Sequence, residues 1–124
     1  MDFTISTERQ ALVDKAREIA AGYREAAFAH DERAEFPAPA FERLRDAGFL
    51  TLSLPEEMGG HGFWSTTPPL RDRFVPYYQI LEALATGDAS TGQLVQIQTH
   101  ATGIVAGLGN TEQRQRFLGE VARR

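Results

Sequence analysis

Cysteine is missing altogether from this chain. That absence excludes disulfide scaffolds, thiolate zinc sites and cysteine nucleophiles. An excess of positive charge is missing too. Thirteen Lys and Arg stand against 17 Asp and Glu, a formal net charge of −4, and no segment clusters the cations. A nucleic-acid binder needs a basic stripe to meet phosphates, so that class is set aside. No stretch is long and apolar enough to span a bilayer. The opening Met1-Asp2-Phe3-Thr4 is acidic and lacks the apolar core of a signal peptide, so the expected location is cytoplasmic. Repeats and low-complexity tracts are absent as well. What remains is ordinary globular material, 42% hydrophobic and 24% charged. A length of 124 residues suits one domain with one small core.

The apolar spacing is helical almost throughout, and it predicts an all-α, up-and-down bundle of about five helices with one short extended segment. The first predicted helix starts near Ser6 or Thr7, where Thr7 and Gln10 fit a capping box. Leu12, Ala16, Ile19, Tyr23 and Ala27 recur at three- and four-residue steps and share a face. This helix is expected to fray in the charged stretch His30-Asp31-Glu32-Arg33. The second is short, with Pro39 in its first turn, Phe41 and Leu44 inward, and Gly48 as a left-handed C-terminal cap followed by Phe49. Leu50-Thr51-Leu52-Ser53-Leu54 alternates strictly, which predicts an extended piece with one buried side, closed by Pro55. Residues 56–73 read mostly as loop, with Pro68-Pro69 stiffening its exit. A third helix is expected from Val75-Pro76 to Gly87, with Tyr77, Ile80, Leu81, Leu84 and Ala85 as its stripe. The fourth runs from Asp88 or Ser90 to about Leu108. The fifth is capped by Asn110 or Thr111, with Phe117, Leu118 and Val121 as its buried edge.

The fourth predicted helix is the informative one. From Ala89 to Thr111 there is no Asp, Glu, Lys or Arg. A solvent-facing helix normally carries charge, so enclosure by protein is expected. A membrane span is excluded, because Gln93, Gln96, Gln98, Thr99, His100 and Thr102 are too costly in lipid. Projected at about 100° per residue, Leu94, Ile97, Ala101, Ile104, Val105 and Leu108 form one apolar stripe. Val95, Gln98 and Thr102 flank it, while Gln96, His100, Gly103 and Gly107 fall on the far side. Unpaired buried polar groups cost roughly 1–3 kcal/mol each, so these side chains need partners in backbone, water or ligand. Both a core helix and a helix lining a pocket satisfy that demand.

Other candidate motifs are weak. Gly59-Gly60-His61-Gly62 lacks the Lys-Ser/Thr ending of a phosphate cradle and reads as a tight turn. Glu56 and Glu57, adjacent after Pro55, are expected to point apart into solvent. His30, His61 and His100 lack the close spacing of a metal-binding pair, so no metal site is expected. His100 is either a satisfied core histidine or a group facing a ligand. Trp64, beside Phe63, either anchors against a partner domain or plugs its own loop.

Taken in order, several segments resemble the acyl-CoA dehydrogenase family. They are Met1-Asp2-Phe3-Thr4 with Glu8-Arg9-Gln10-Ala11-Leu12, then Phe36-Pro37, Gly48-Phe49-Leu50, and Pro55-Glu56-Glu57-Met58-Gly59-Gly60-His61-Gly62. Leu81-Glu82-Ala83-Leu84-Ala85, Gly87-Asp88-Ala89-Ser90-Thr91 and Gly109-Asn110-Thr111-Glu112-Gln113-Arg114 follow. The resemblance implies that residues 1–124 form the N-terminal helical domain, without the flavin-binding β domain and the C-terminal bundle. It implies FAD or FMN in a complete enzyme, with no tight flavin binding by this chain alone and no catalytic residue within it. Val95, Gln98 and Thr102 would then face the substrate tail, with His100 a further candidate. The implied partners are the middle and C-terminal domains or a complementary subunit, a small acyl-type or aromatic substrate, and further copies in a homo-oligomer. The stretch from Phe63 to Arg73 departs from the family as extra loop. The polar run Gln96 to Gly103 resembles the reduced-flavin monooxygenase branch, which keeps that chemistry open beside dehydrogenation. A non-catalytic helical interaction module is the reading from a different class.

Overall fold

The computed structural model describes residues 4–64 and 71–123. The elements run α1 (Thr7–Ala21), α2 (Arg24–Glu32), α3 (Ala38–Asp46), two 3-10 turns (Phe49–Thr51 and Glu56–Met58), α4 (Arg71–Gly87) and α5 (Ala89–Leu108). A short α6 (Thr111–Gln113), a π-helical turn (Arg114–Leu118) and α7 (Gly119–Arg123) complete the chain. The all-α class expected from the periodicity is the class observed, and no strand occurs among the described residues. The central helix is α4, which packs along α1 on one side and α5 on the other.

At the start of α1, Ser6 is the cap, its side chain accepting from the Arg9 amide. Thr7 and Gln10 therefore do not form the expected capping box. Val13, Ala16, Ile19 and Ala20 turn into the core against α4, with Leu12 half-buried. The helix does not run on to fray at residues 30–33; it breaks at Gly22 and Tyr23. Two contacts hold that break. The Arg43 guanidinium donates to the Gly22 carbonyl at 2.9 Å, and the buried Tyr23 hydroxyl donates to the Leu84 carbonyl at 3.1 Å. Apolar spacing continues across the break, so periodicity alone could not reveal it.

Gly48 adopts the left-handed cap (φ 80°), and Leu44 and Phe49 on either side of it are both fully buried. The segment after it is not extended, however. Thr51 bonds its hydroxyl back to the Gly48 carbonyl, the chain coils, and Leu52, Ser53 and Leu54 are all buried. Strict alternation misled because this segment is covered on both sides. The carbonyls of Leu52 and Leu54 accept from the amides of Phe63 and Gly62 at 3.0 and 2.9 Å, folding the glycine turn back over them.

The α4 helix begins at Arg71, a turn before the expected Val75-Pro76, so Pro76 lies inside it. Residues 65–70 of the expected extra loop, with Pro68-Pro69, lie outside the described residues; the part from Arg71 onward is helix. Tyr77, Ile80 and Leu84 are buried as expected, but Ala83 replaces the exposed Ala85 on the inner face. At the C-terminal end Asn110 caps α6 in a full capping box with Gln113. Leu118 is buried there, Val121 half-buried and Phe117 exposed. The wider π turn shifts the helical phase, which carries Phe117 off the core.

Candidate functional site: the α5 helix and its surroundings

The uncharged segment is a helix, as expected, but the expected enclosure covers only one of its faces. Its buried residues are Thr91, Gly92, Val95, Thr99, Thr102 and Gly103. The apolar stripe faces outward, with Ile97 and Ile104 each 54% exposed and Leu108 85% exposed. Enclosure on all sides is therefore not observed among the described residues. Small side chains explain the orientation. At Gly92 an added Cβ would stand 3.1 Å from the Ala85 Cβ of α4, so the glycine side admits a closer neighbour than the isoleucine side could.

Burying threonines carries little penalty here because the hydroxyls are satisfied at home. Thr99 donates to the Val95 carbonyl at 2.8 Å, and Thr102 to the Gln98 carbonyl at 2.8 Å. Ser53 Oγ meets Thr102 Oγ1 as well. With the Thr102 proton committed to its own helix, Ser53 is the donor of that pair. A polar seam thus ties the turn at Ser53 to α5, with the Ser53, Thr99 and Thr102 hydroxyls all paired.

The four residues expected at a substrate site separate on this geometry. Val95 is fully buried in the core, and Thr102 is buried in the seam. Gln98 is half-buried one turn before Thr102. His100 is half-buried elsewhere on the helix, its ring meeting Trp64 edge-on with centroids 4.9 Å apart. Beside that pair a cleft of about 640 Å³ opens, lined by residues that include Ser53, Glu56, Trp64, Gly103, Ile104 and Arg114. None of Val95, Gln98, His100 and Thr102 lines it.

Sequence reasoning missed a second cluster. Arg9 is buried in α1 with its guanidinium 4.3 Å from the centre of the Phe63 ring, and it approaches Glu56 at 3.9 Å. It lies four and seven residues before Val13 and Ala16, so spacing places it on the core face. His61 belongs to the same region. Burial pushes the His61 imidazole below the usual histidine range, and the Arg9 charge pushes the same way. Glu8, a backbone bond at Gly48 and Glu56 pull partly back. Glu56 and Glu57 are exposed, as expected of a solvated pair.

The glycine turn does not fit a flavin pyrophosphate. A Cβ at Gly60 would lie 2.3 Å from the Leu54 carbonyl oxygen, and one at Gly62 would lie 3.3 Å from a Glu56 carboxylate oxygen. The turn packs against its own chain, with the Glu56 carboxylate beside Gly62. No cluster of three or more metal-ligating side chains occurs among the described residues, and no described helix is long and apolar enough to cross a membrane.

Residues 6–124 match the family described as acyl-CoA dehydrogenase, N-terminal domain. YdbM of Bacillus subtilis (strain 168), whose name assigns it provisionally to the acyl-CoA dehydrogenases, is 33% identical over 72% of this chain and 21% of its own length. The 3-sulfinopropanoyl-CoA desulfinase of Variovorax paradoxus is 28% identical over 90% of this chain and 26% of its own. The mitochondrial isobutyryl-CoA dehydrogenase of Dictyostelium discoideum is 28% identical over 71% of this chain and 19% of its own. The chain thus spans about a quarter or less of the length of these relatives. No solved structure matches significantly.

Proposed function

The chain belongs to the acyl-CoA dehydrogenase family through its N-terminal domain, and from that premise we propose that it is the substrate-side helical domain of a flavin-dependent oxidoreductase acting on an acyl thioester. One observation carries this reading. The α5 helix has no charged residue, yet it turns Ile97, Ile104 and Leu108 outward. A helix that ends its life in water carries charge on its outer face; one completed by a further domain does not need it. The three named relatives supply the chemical class, since each carries a CoA thioester or acyl-CoA in its name.

On this reading FAD is held by further domains or a complementary subunit, because the glycine turn here is self-filled. When bound there, flavin supplies the electron acceptor. This chain contributes shape and exclusion of water: Gln98 and His100 offer the accessible polar groups near the substrate, while Val95 and Thr102 set the helix position behind them. The Thr99 and Thr102 hydroxyls bond within α5, which leaves Gln96, Gln98 and His100 as the polar groups of that run able to meet a substrate. The acyl reading rests on the names of the relatives.

A flavin titration tests the division of labour. Purified chain titrated with FAD, followed by flavin fluorescence, should show no saturable stoichiometric quenching at micromolar concentration. Tight one-to-one binding would mean that the chain holds the cofactor itself, and the assignment to the substrate side would be wrong.

A further inference from the structure

In the run Gly59-Gly60-His61-Gly62 only His61 carries a side chain. Gly59 (φ 80°) and Gly62 (φ 63°), at its two ends, both hold left-handed backbone, which glycine enters and leaves at little cost. Beyond Gly62 the chain is anchored. Phe63 is buried, and its amide donates to the Leu52 carbonyl at 3.0 Å. The four residues themselves are held less evenly. The His61 amide reaches the Thr51 carbonyl only at 3.4 Å, while the Gly62 amide meets the Leu54 carbonyl at 2.9 Å. Gly62 and Glu56 both line the cleft beside α5, so the position of this run sets one wall of that cleft.

The His61 ring is what pins the run to the rest of the domain. Its Nε2 lies 3.4 Å from where a Cβ on Gly48 would stand, so the bare backbone there is the ring's seat. The Phe63 ring stands 6.5 Å away between centroids and carries the buried Arg9 guanidinium. A neutral imidazole fits these surroundings. A charged one would be half-buried close to a cation that cannot leave. The groups acting on it are Arg9 and Glu8 from α1, Glu56 from the turn, and a backbone bond at Gly48. Glu8 and Glu56 are exposed, so solvent screens the compensation they offer. Arg9 and desolvation act against the charge.

We propose that Gly59–Gly62 is a pH-operated flap, latched on the Gly48 turn by the neutral His61 side chain and released when that imidazole takes up a proton against Arg9. The two left-handed glycines are its hinges and Phe63 is its fixed end. Release carries His61 into water, breaks the bonds from the His61 and Gly62 amides, and opens the cleft on its Gly62 side. None of this depends on the acyl-thioester reading.

Amide hydrogen exchange of the purified chain, followed by NMR at pH 7.5 and pH 5, reads the flap residue by residue. Protection is taken against the exchange of an unstructured peptide at the same pH. At Gly62 it should fall about tenfold on going to pH 5, while Val13, Ile80 and the anchoring Phe63 keep theirs. His61→Gln cannot take up the proton and should abolish the fall. Arg9→Met keeps an apolar stem over Phe63 without the charge, and should reduce it. Glu8→Gln removes an attraction at an exposed position and should enlarge it, so the electrostatic arm survives if Arg9→Met folds poorly. Protection at Gly62 that holds at pH 5 in the parent, or falls as far in His61→Gln, would overturn the flap. So would an equal fall at Val13 and Ile80, which would mean that the whole chain is unfolding. A fall that neither Arg9→Met nor Glu8→Gln changes would overturn Arg9 as the charge that drives release.

Discussion

At the scale of single residues, position in the helical repeat was legible but the partner was not. Arg9 falls in register with Val13 and Ala16, yet nothing in the sequence tells that its guanidinium covers the Phe63 ring. Trp64 and Gly103 are 39 residues apart, and their contact depends on how the turn at 59–62 folds back. Spacing carries no information on such long-range pairs. His61 gives a pH prediction at this scale. Its folded value lies below its ordinary value of about 6.5, so the unfolded chain takes up the proton first as pH falls. Stability should therefore rise with pH between the lowered folded value and about 6.5, and His61 should add no further pH dependence above that. His61→Gln removes this contribution while leaving His30 and His100 in place. Urea midpoints at pH 5 and pH 7.5 should differ more for the parent than for the variant. Equal differences would show that His61 is free to charge in the fold.

Among elements, the long periodic helices were legible and their boundaries less so. The sequence stripe of α5 is real, but it faces outward, because the small-residue side packs more closely on α4 and its threonines need no outside partner. An apolar stripe marks the core face only when nothing else is to be covered; here the opposite face had a better fit. The segment at 50–54 failed for a related reason, since two-sided burial and one-sided burial can share an alternating pattern. The break at Gly22 was hidden because Arg43 and Leu84, both distant in sequence, hold it. By contrast the last helical stretch announced its own start. The Asn110 side chain accepts from the Gln113 amide at 2.9 Å, and the Gln113 side chain accepts from the Asn110 amide at 2.9 Å. Asn110→Ala should cost about 1 kcal/mol, read as a lowered urea midpoint with unchanged transition slope. A change under a few tenths of that amount would mean the stretch from Thr111 to Arg123 contributes nothing to the cooperative unit.

At the scale of the whole molecule, this domain spans about a quarter or less of the length of its named relatives and turns one uncharged helix face to the outside. The family was legible in the sequence because its short motifs occur in order along most of the chain. The site was only partly legible. Of the four expected residues, Val95 and Thr102 are buried, while Gln98 and His100 keep some surface. Ile97, Ile104 and Leu108 share one apolar stripe in the sequence, and the expected enclosure of their helix does not extend to that stripe, which faces outward. Sedimentation equilibrium tests the central claim most directly, comparing the chain with a variant in which Ile97, Ile104 and Leu108 are all glutamine. The parent should self-associate at micromolar concentration, and the variant should be a monomer with unchanged helix content by circular dichroism. A parent that stays monomeric to high concentration, or a variant that associates just as strongly, would contradict the account of α5 as a face awaiting its partner.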